Sequence, residues 1–292
     1  MNEQDSEFDL SDLELGKPTS YQSSYAPELL QAVPRALNRA ELGIDKTQPF
    51  YGADVWNGYE LSWLNAKGKP VVALMRCVVP CSSPCLVESK SFKLYLNSYN
   101  QSKFESQDLV RERLIVDLSL VAGSTIQVEL FGPDDLADFS ATSLPGTCID
   151  EQDIEIDIYS LEPTLLEPVS SELDSSLASK SADSIVTETL HSHLLKSNCL
   201  ITNQPDWASI VIEYTGQQVC HQALLKYLVS FRMHNEFHEQ CVERIYMDML
   251  KAFDLQRLSV QALYTRRGGL DINPFRSSDA NQLAMPLRSN RQ

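Results

Sequence analysis

Histidine is scarce in this chain, and bases are outnumbered. Five histidines occur among 292 residues, all from His191 onward, so the side chains that titrate near neutral pH concentrate in one region. Lys and Arg total 24 against 40 Asp and Glu, a formal net charge of −16. That balance repels phosphate backbones and argues against direct nucleic-acid binding. Long apolar runs are missing: stretches such as Val71–Met75 are far too short to cross a bilayer. The N-terminal MNEQDSEFDL is acidic and has no basic region leading into an apolar run, so no signal peptide is expected. There is no Gly-x-Gly-x-x-Gly, no P-loop and no serine nucleophile elbow, so a nucleotide would not be held in either of those ways. Seven cysteines are an odd number for a disulfide framework and read as reduced thiols in the cytoplasm. Hydrophobic residues make up 43%, enough for a core, which excludes wholesale disorder.

Charge and periodicity divide the chain. From Asp134 to Asp183 thirteen acids face one base, Lys180. The later part, SLEPTLLEPVSSELDSSLASKSAD, is rich in Pro, Ser and Glu, and reads as a linker or loose surface connection. The halves on either side share one element order. In the first, strands are expected at Tyr59–Leu64 and Pro70–Val79, helices at Ser91–Asn100 and Ser106–Leu118, and a strand at Thr125–Phe131. In the second, Leu190–Thr202 and Ala208–Thr215 are strand-like, His221–Arg232 and Glu236–Phe253 helical, and Leu258–Tyr264 a strand. At an offset of 132, Tyr95 matches Tyr227, Leu96 matches Leu228, Ser98 matches Ser230, and Tyr99 falls on Phe231. We read two related β-β-α-α-β-β units, antiparallel sheets each with a helix pair on one face.

Four clusters carry possible chemistry. Cys199, in KSNCLITNQPDW, lies where an apolar strand meets a Pro-containing turn, with Asp206 seven residues on. An accessible thiolate and a nearby acid can act as nucleophile and proton donor; a structural Cys beside a turn Asp is the plain alternative. His238-Glu239 opens a long helix and would project beyond its end, or simply be solvated there. Glu88-Ser89-Lys90-Ser91-Phe92-Lys93 starts a helix, where Glu88 can cap the helix or bind a cation and Lys90 can meet an anion. The run YTRRGGLDINPFR lies in the only net-basic part of the chain, which carries six arginines against two acids from Arg257 onward. Paired arginines beside two glycines suit an anion, or merely balance charge. Two further patterns are discounted as metal sites. Cys77-x3-Cys81-x3-Cys85 has neither a zinc nor an iron–sulfur spacing, and His191-x-His193 has no Cys or carboxylate partner in register.

Taken together, the chain resembles the 7-cyano-7-deazaguanine reductases, nitrile reductases of queuosine biosynthesis, in their long two-module form. The matching stretches are LGKPTSYQSSYAPELLQAVPR, WNGYELSWLN, VESKSFKLYLNSYNQ, SNCLITNQPDWASIVIEY, FRMHNEFHEQC and YTRRGGLDINP, in family order from Leu15 to Pro274. ESKSFK is the family signature. The resemblance implies an α+β fold of two tandem tunnelling-fold modules: residues 1–160 with the signature, an acidic Pro/Ser-rich linker at 161–186, and 187–292 with the nucleophile. It implies Cys199 as the nucleophile that forms a thioimide and Asp206 as proton donor. Val87, Glu88, Ser89, His238 and Glu239 would hold the deazaguanine ring. Ser89, Lys90, Arg267 and Gly268 would contact NADPH, two per turnover, with no metal and no flavin. It also implies a cytoplasmic homodimer acting on a small molecule rather than on nucleic acid or membrane. The rivals are another tunnelling-fold enzyme such as a zinc-dependent cyclohydrolase, a Cys–His–Asp amidohydrolase releasing ammonia without NADPH, and an acidic interaction protein whose linker carries the function.

Overall fold

The structure, a computed structural model, describes residues 21–44, 47–135, 139–167 and 185–292. The acidic N-terminal stretch, the start of the matching segment at Leu15, and residues 168–184 of the expected linker lie outside the described residues. The first half begins with β1 (Ala32–Pro34) and α1 (Ala36–Glu41). A long hairpin of β2 (Tyr51–Leu64) and β3 (Pro70–Pro80) follows. Asn65 shapes its turn by accepting from the backbone N–H groups of Lys67 and Lys69. Then come β4 (Cys85–Val87), α2 (Ser89–Asn97), α3 (Gln107–Ala122) and β5 (Gln127–Phe131). The rest comprises β6 (Thr147–Cys148), β7 (Ile185–Ser192), β8 (Lys196–Asn198), β9 (Pro205–Gln217), α4 (His221–Ser230), α5 (His238–Ala252), β10 (Leu255–Tyr264) and β11 (Leu270–Ser277).

These strands join into one sheet. Its order is β5-β3-β2-β11-β10-β9-β7-β6, with β8 added beside β9, while β1 and β4 pair separately. All pairings are antiparallel except the short β6–β7 contact. The join between the halves is the β2–β11 ladder, from Leu270 opposite Gly58 to Ser277 opposite Tyr51. Trp56 faces Ile272 and Arg276 faces Val260 across successive pairs, so the inward face runs unbroken through the join. Phe92, Tyr95, Val110 and Leu114 from α2 and α3 cover Trp56, Met75 and Cys77. Leu224, Leu228, Val242, Ile245 and Met249 from α4 and α5 cover Ile210, Ile212, Val260 and Ala262. Each core borrows from the other half: Leu270 and Ile272 join the first, and Leu42, Phe50 and Cys81 join the second.

The two helix pairs repeat one packing motif at the matched positions. Tyr95 donates its hydroxyl to Asp117 and Tyr227 donates to Asp248, both at 2.7 Å. The Ser98 and Ser230 hydroxyls donate to the carbonyls of Tyr95 and Tyr227. The ring pairs Tyr95–Tyr99 and Tyr227–Phe231 both lie 5.3 Å apart, at 88° and 89°.

Several expectations are corrected. The first half has no antiparallel fourth strand beside β5 among the described residues. Gly132-Pro133-Asp134-Asp135 turns the chain instead, with the Asp135 carboxylate accepting from the Gly132 N–H at 2.6 Å. The strand expected over Leu190–Thr202 is two strands, β7 and β8, separated by a bend, and Cys199 follows the second. β2 starts eight residues earlier than Tyr59, through Gly52 and Gly58. At Gly52, φ is +136° and a Cβ would lie 2.1 Å from the Phe275 carbonyl oxygen, so glycine is what lets β11 close on β2. Residues 161–167 are not loose: Leu161, Leu165 and Leu166 pack on the second core, and the Glu162 N–H donates to Ser230.

A buried charge network lies at the seam. Arg276, fully buried, donates to Asp54 at 2.8 Å and to Glu243 at 2.8 Å. Arg35 pairs with Asp54, and Arg39 with Glu243. Burial opposes ionisation of Asp54 and Glu243, but the neighbouring guanidinium groups override it and hold both carboxyls below the usual range.

Candidate active site

Four chain segments meet at one cavity of about 270 Å³. The first is the β4–α2 junction. Glu88 is buried at the N-cap of α2, and its carboxylate accepts from the backbone N–H of Lys90 at 2.7 Å and of Ser91 at 2.6 Å. Burial pushes its carboxyl up, and these hydrogen bonds act against that shift. The second is the turn after β8. The Cys199 N–H donates to Gln204, and the Asn203 N–H donates back to the Cys199 carbonyl, with Asn203 left-handed at φ +56°. Asn235 braces this turn by donating to the Cys199 carbonyl and to Asn203.

The third segment is the start of α5, where His238 and Glu239 enter the cavity. His238 packs on Tyr264 with ring centroids 4.0 Å apart. Glu239 is 3% exposed. Burial, then the negative charge of Asp54, pushes its carboxyl up to about 7, while His238 and Arg35 act the other way. The fourth is the turn between β10 and β11, where Gly268 and Gly269 have φ +58° and +81°. A Cβ on Gly268 would lie 2.5 Å from the Lys93 ammonium, so the bare backbone leaves room for a cation there.

Asp206, on β9, ties these segments together. It is 3% exposed, accepts from Arg267 Nη1 at 2.5 Å, and lies 3.4 Å from His238 Nε2. Arg267 also donates to the Gln204 side chain at 3.0 Å.

All ten residues to which the resemblance gives a role line this cavity: Val87, Glu88, Ser89, Lys90, Cys199, Asp206, His238, Glu239, Arg267 and Gly268. Lys93, Trp56 and Tyr264 also line it; the sequence reading included them in its matching stretches but gave them no role. Lys93 lies one helical turn beyond Ser89, a spacing that places both on one face of α2. Trp56 and Tyr264 come from strands whose contact with the cavity depends on the sheet order. The triple Cys77, Cys81 and Cys85 lies elsewhere: Cys77 is buried in the first core, and Cys81 accepts from Gln48 in the second.

A half-buried thiol, an acid, an imidazole, two buried carboxylates and a cationic rim meet in one cavity of an α+β chain, a candidate active site. Its carboxylates suit N–H donors on a flat ligand, and its rim suits an anion. A family model described as "Nitrile reductase, 7-cyano-7-deazaguanine-reductase N-term" matches residues 21–130, and one described as "QueF-like protein" matches residues 205–282. A curated relative, the NADPH-dependent 7-cyano-7-deazaguanine reductase of Colwellia psychrerythraea (strain 34H / ATCC BAA-681), is 55% identical over 277 residues, covering 94% of each chain. The crystal structure of the archaeosine synthase QueF-Like in the apo form resembles 34% of this chain and 96% of its own. Its 16% identity and TM-score of 0.29 are too slight to bear on fold or ligand. The chain belongs to the 7-cyano-7-deazaguanine reductase family.

Proposed function

We propose that this cavity reduces the nitrile of 7-cyano-7-deazaguanine to a primary amine, and so serves queuosine biosynthesis. The carrying observation is the meeting of Glu88, Cys199, Asp206, His238, Glu239 and Arg267, drawn from both halves of the chain, in one cavity. The Cys199 sulfur adds to the nitrile carbon as the thiolate, its proton passing by way of Asp206 to the nitrogen, giving a thioimide. NADPH supplies two hydrides, one for each reduction. The first hydride, taken up with a proton on nitrogen, leaves a tetrahedral carbon bearing sulfur and an amino group. Its C–S bond then breaks to release the thiol and an imine, and the second hydride and a proton give the amine. Glu88 and Glu239 accept from the guanine-like N–H edge, with Val87, Ser89 and His238 beside it. Hydride reaches an activated C=N directly, so neither metal nor flavin is needed for this chemistry. The stoichiometry of NADPH to amine tests the reading.

The Gly268 cradle and the cations Lys90, Lys93 and Arg267 support a phosphate site for the cofactor, with Ser89 alongside. Arg267 meets Asp206 in this structure, so cofactor phosphate and the proton donor compete for one guanidinium. Arg267→Ala is expected to raise KM for NADPH several-fold while the nitrile still adds to Cys199. Arg267→Lys should recover only part of the loss, because an ammonium lacks the planar fork. Steady-state kinetics and intact-mass spectra read the two effects separately. Unchanged NADPH kinetics with lost adduct would assign Arg267 to Asp206 alone.

Glu239 gives a pH dependence. Its ionised form accepts ring N–H donors best, and that form is depleted as pH falls through about 7. KM for the nitrile should therefore be flat above that pH and rise about tenfold per unit below it. Glu239→Gln should bind more weakly and lose this limb. A limb that survives in the variant would assign the titration to another group.

The same reading makes the fold a tandem pair of tunnelling-fold modules, 1–160 and 187–292, joined by the linker 161–186, in a cytoplasmic protein. The repeated Tyr–Ser–Asp packing supports the two modules. The outer sides of β5 and β6, which carry no strand among the described residues, support side-by-side assembly into a homodimer.

A further inference from the structure

The structure brings Cys148 to His191 and His193, which the sequence left without a partner. His191 lies on β7 and His193 in the bend just beyond its end, their ring centroids 5.4 Å apart, and Cys148 lies opposite His191 in the parallel β6–β7 pair. One ligand atom from each of the three lies within 4.8 Å of the others, the one such convergence of Cys, His and carboxylate groups among the described residues. We propose that Cys148, His191 and His193 form a site for a zinc-class divalent cation that clamps β6 to β7, outside the catalytic cavity.

The surroundings prepare these ligands. Nδ1 of His191 lies 2.9 Å from the Pro145 carbonyl, and Nδ1 of His193 lies 2.8 Å from the Ser209 hydroxyl. Both rings are thereby oriented with Nε2 left to ligate, the second-sphere arrangement that metal-binding imidazoles use. Asp150 fixes the segment after Cys148 by accepting from the Ser192 hydroxyl at 2.6 Å and the His193 N–H at 2.9 Å. The approach of Cys148 to β7 depends on Gly146: φ is +76°, and a Cβ would lie 2.0 Å from the Thr189 carbonyl oxygen. A tetrahedral ion with metal–nitrogen bonds of about 2.0 Å and a metal–sulfur bond of about 2.3 Å needs ligand atoms roughly 3.3–3.6 Å apart, so closing by about 1 Å completes the site. One thiolate and two imidazoles suit zinc or cobalt and not magnesium or calcium. A water fills the fourth position. The need for a clamp is visible in the ladder: β6 is two residues long and lies at the end of the sheet. None of these side chains lines the catalytic cavity, so the site is independent of the nitrile-reduction reading.

Cobalt titration of the full-length, chelator-treated protein tests this. One Co²⁺ per chain should bind, giving tetrahedral visible bands and a thiolate-to-cobalt charge-transfer band in the near ultraviolet. Cys148→Ser should lose the charge-transfer band, and His191→Ala with His193→Ala should lose binding. Cys199→Ala should keep both. Nitrile turnover by metal-free Cys148→Ser should match wild type, which also shows that the variant is folded. Absence of a tetrahedral spectrum at stoichiometric Co²⁺ would overturn the site, as would a charge-transfer band kept in Cys148→Ser and lost in Cys199→Ala. Turnover that disappears with the metal would overturn the clamp role.

Discussion

Cys199→Ala is expected to form no detectable amine and to gain no mass from the nitrile, a loss of at least about 10⁴-fold in turnover. Wild-type protein, given the nitrile without NADPH, should gain one substrate mass per site. The contrast follows from where the thiols lie. Cys199 opens onto the cavity in a turn braced by Asn235, with Asp206, the proposed proton source, on the next strand. Cys77 and Cys241 are enclosed in the two cores, where burial pushes their thiols up and keeps them protonated. Peptide mapping of the adduct checks the assignment. A mass gain on Cys77, Cys81 or Cys85 would refute it.

Arg276→Met should cost about 3–5 kcal/mol of stability, because it leaves Asp54 and Glu243 buried with fewer compensating charges. Both carboxyls are held low in the folded protein, so their contribution is present above the ordinary carboxylate range and is lost as pH falls through the folded values. The variant lacks much of that contribution. The gap between wild type and variant should therefore narrow as pH falls, since the stranded carboxyls can then take up protons. Urea unfolding at neutral and acidic pH measures it. Adding Glu243→Gln should recover part of the loss, because it removes one buried negative charge that has lost a guanidinium partner. A gap that does not change with pH would show that Arg276 contributes packing rather than charge balance.

What the sequence disclosed follows local rules. The apolar spacing of Val242, Ile245 and Met249 marks α5, and Asn65 with Gly68 marks the β2–β3 turn. The end of α3 was not read: the helix expected to stop at Leu118 runs on to Ala122, where Gly123 ends it in a left-handed conformation, while Ser106 caps its start by accepting from the Leu109 N–H. The cavity residues were legible as motifs, each ambiguous alone. What stayed hidden depends on long-range pairing. β11 reads poorly as a strand because Asp271, Asn273, Pro274 and Arg276 break the apolar pattern. In the fold, Asn273 donates to Asp271 and Arg276 meets Asp54 and Glu243, so the polar groups are satisfied inside. The Arg267–Asp206 pair joins residues 61 apart, and no local spacing announces it. Cys148 is hidden for the same reason, since only the β6–β7 pairing sets it beside His191.

The central claim, that this cavity reduces a nitrile by four electrons, is tested most directly by counting. The full-length protein is mixed with 7-cyano-7-deazaguanine and NADPH, and cofactor oxidised is compared with amine formed. The account predicts two NADPH consumed for each primary amine, with no ammonia released. Ammonia without NADPH oxidation would identify an amidohydrolase instead, and no change in the nitrile would contradict the assignment of the cavity.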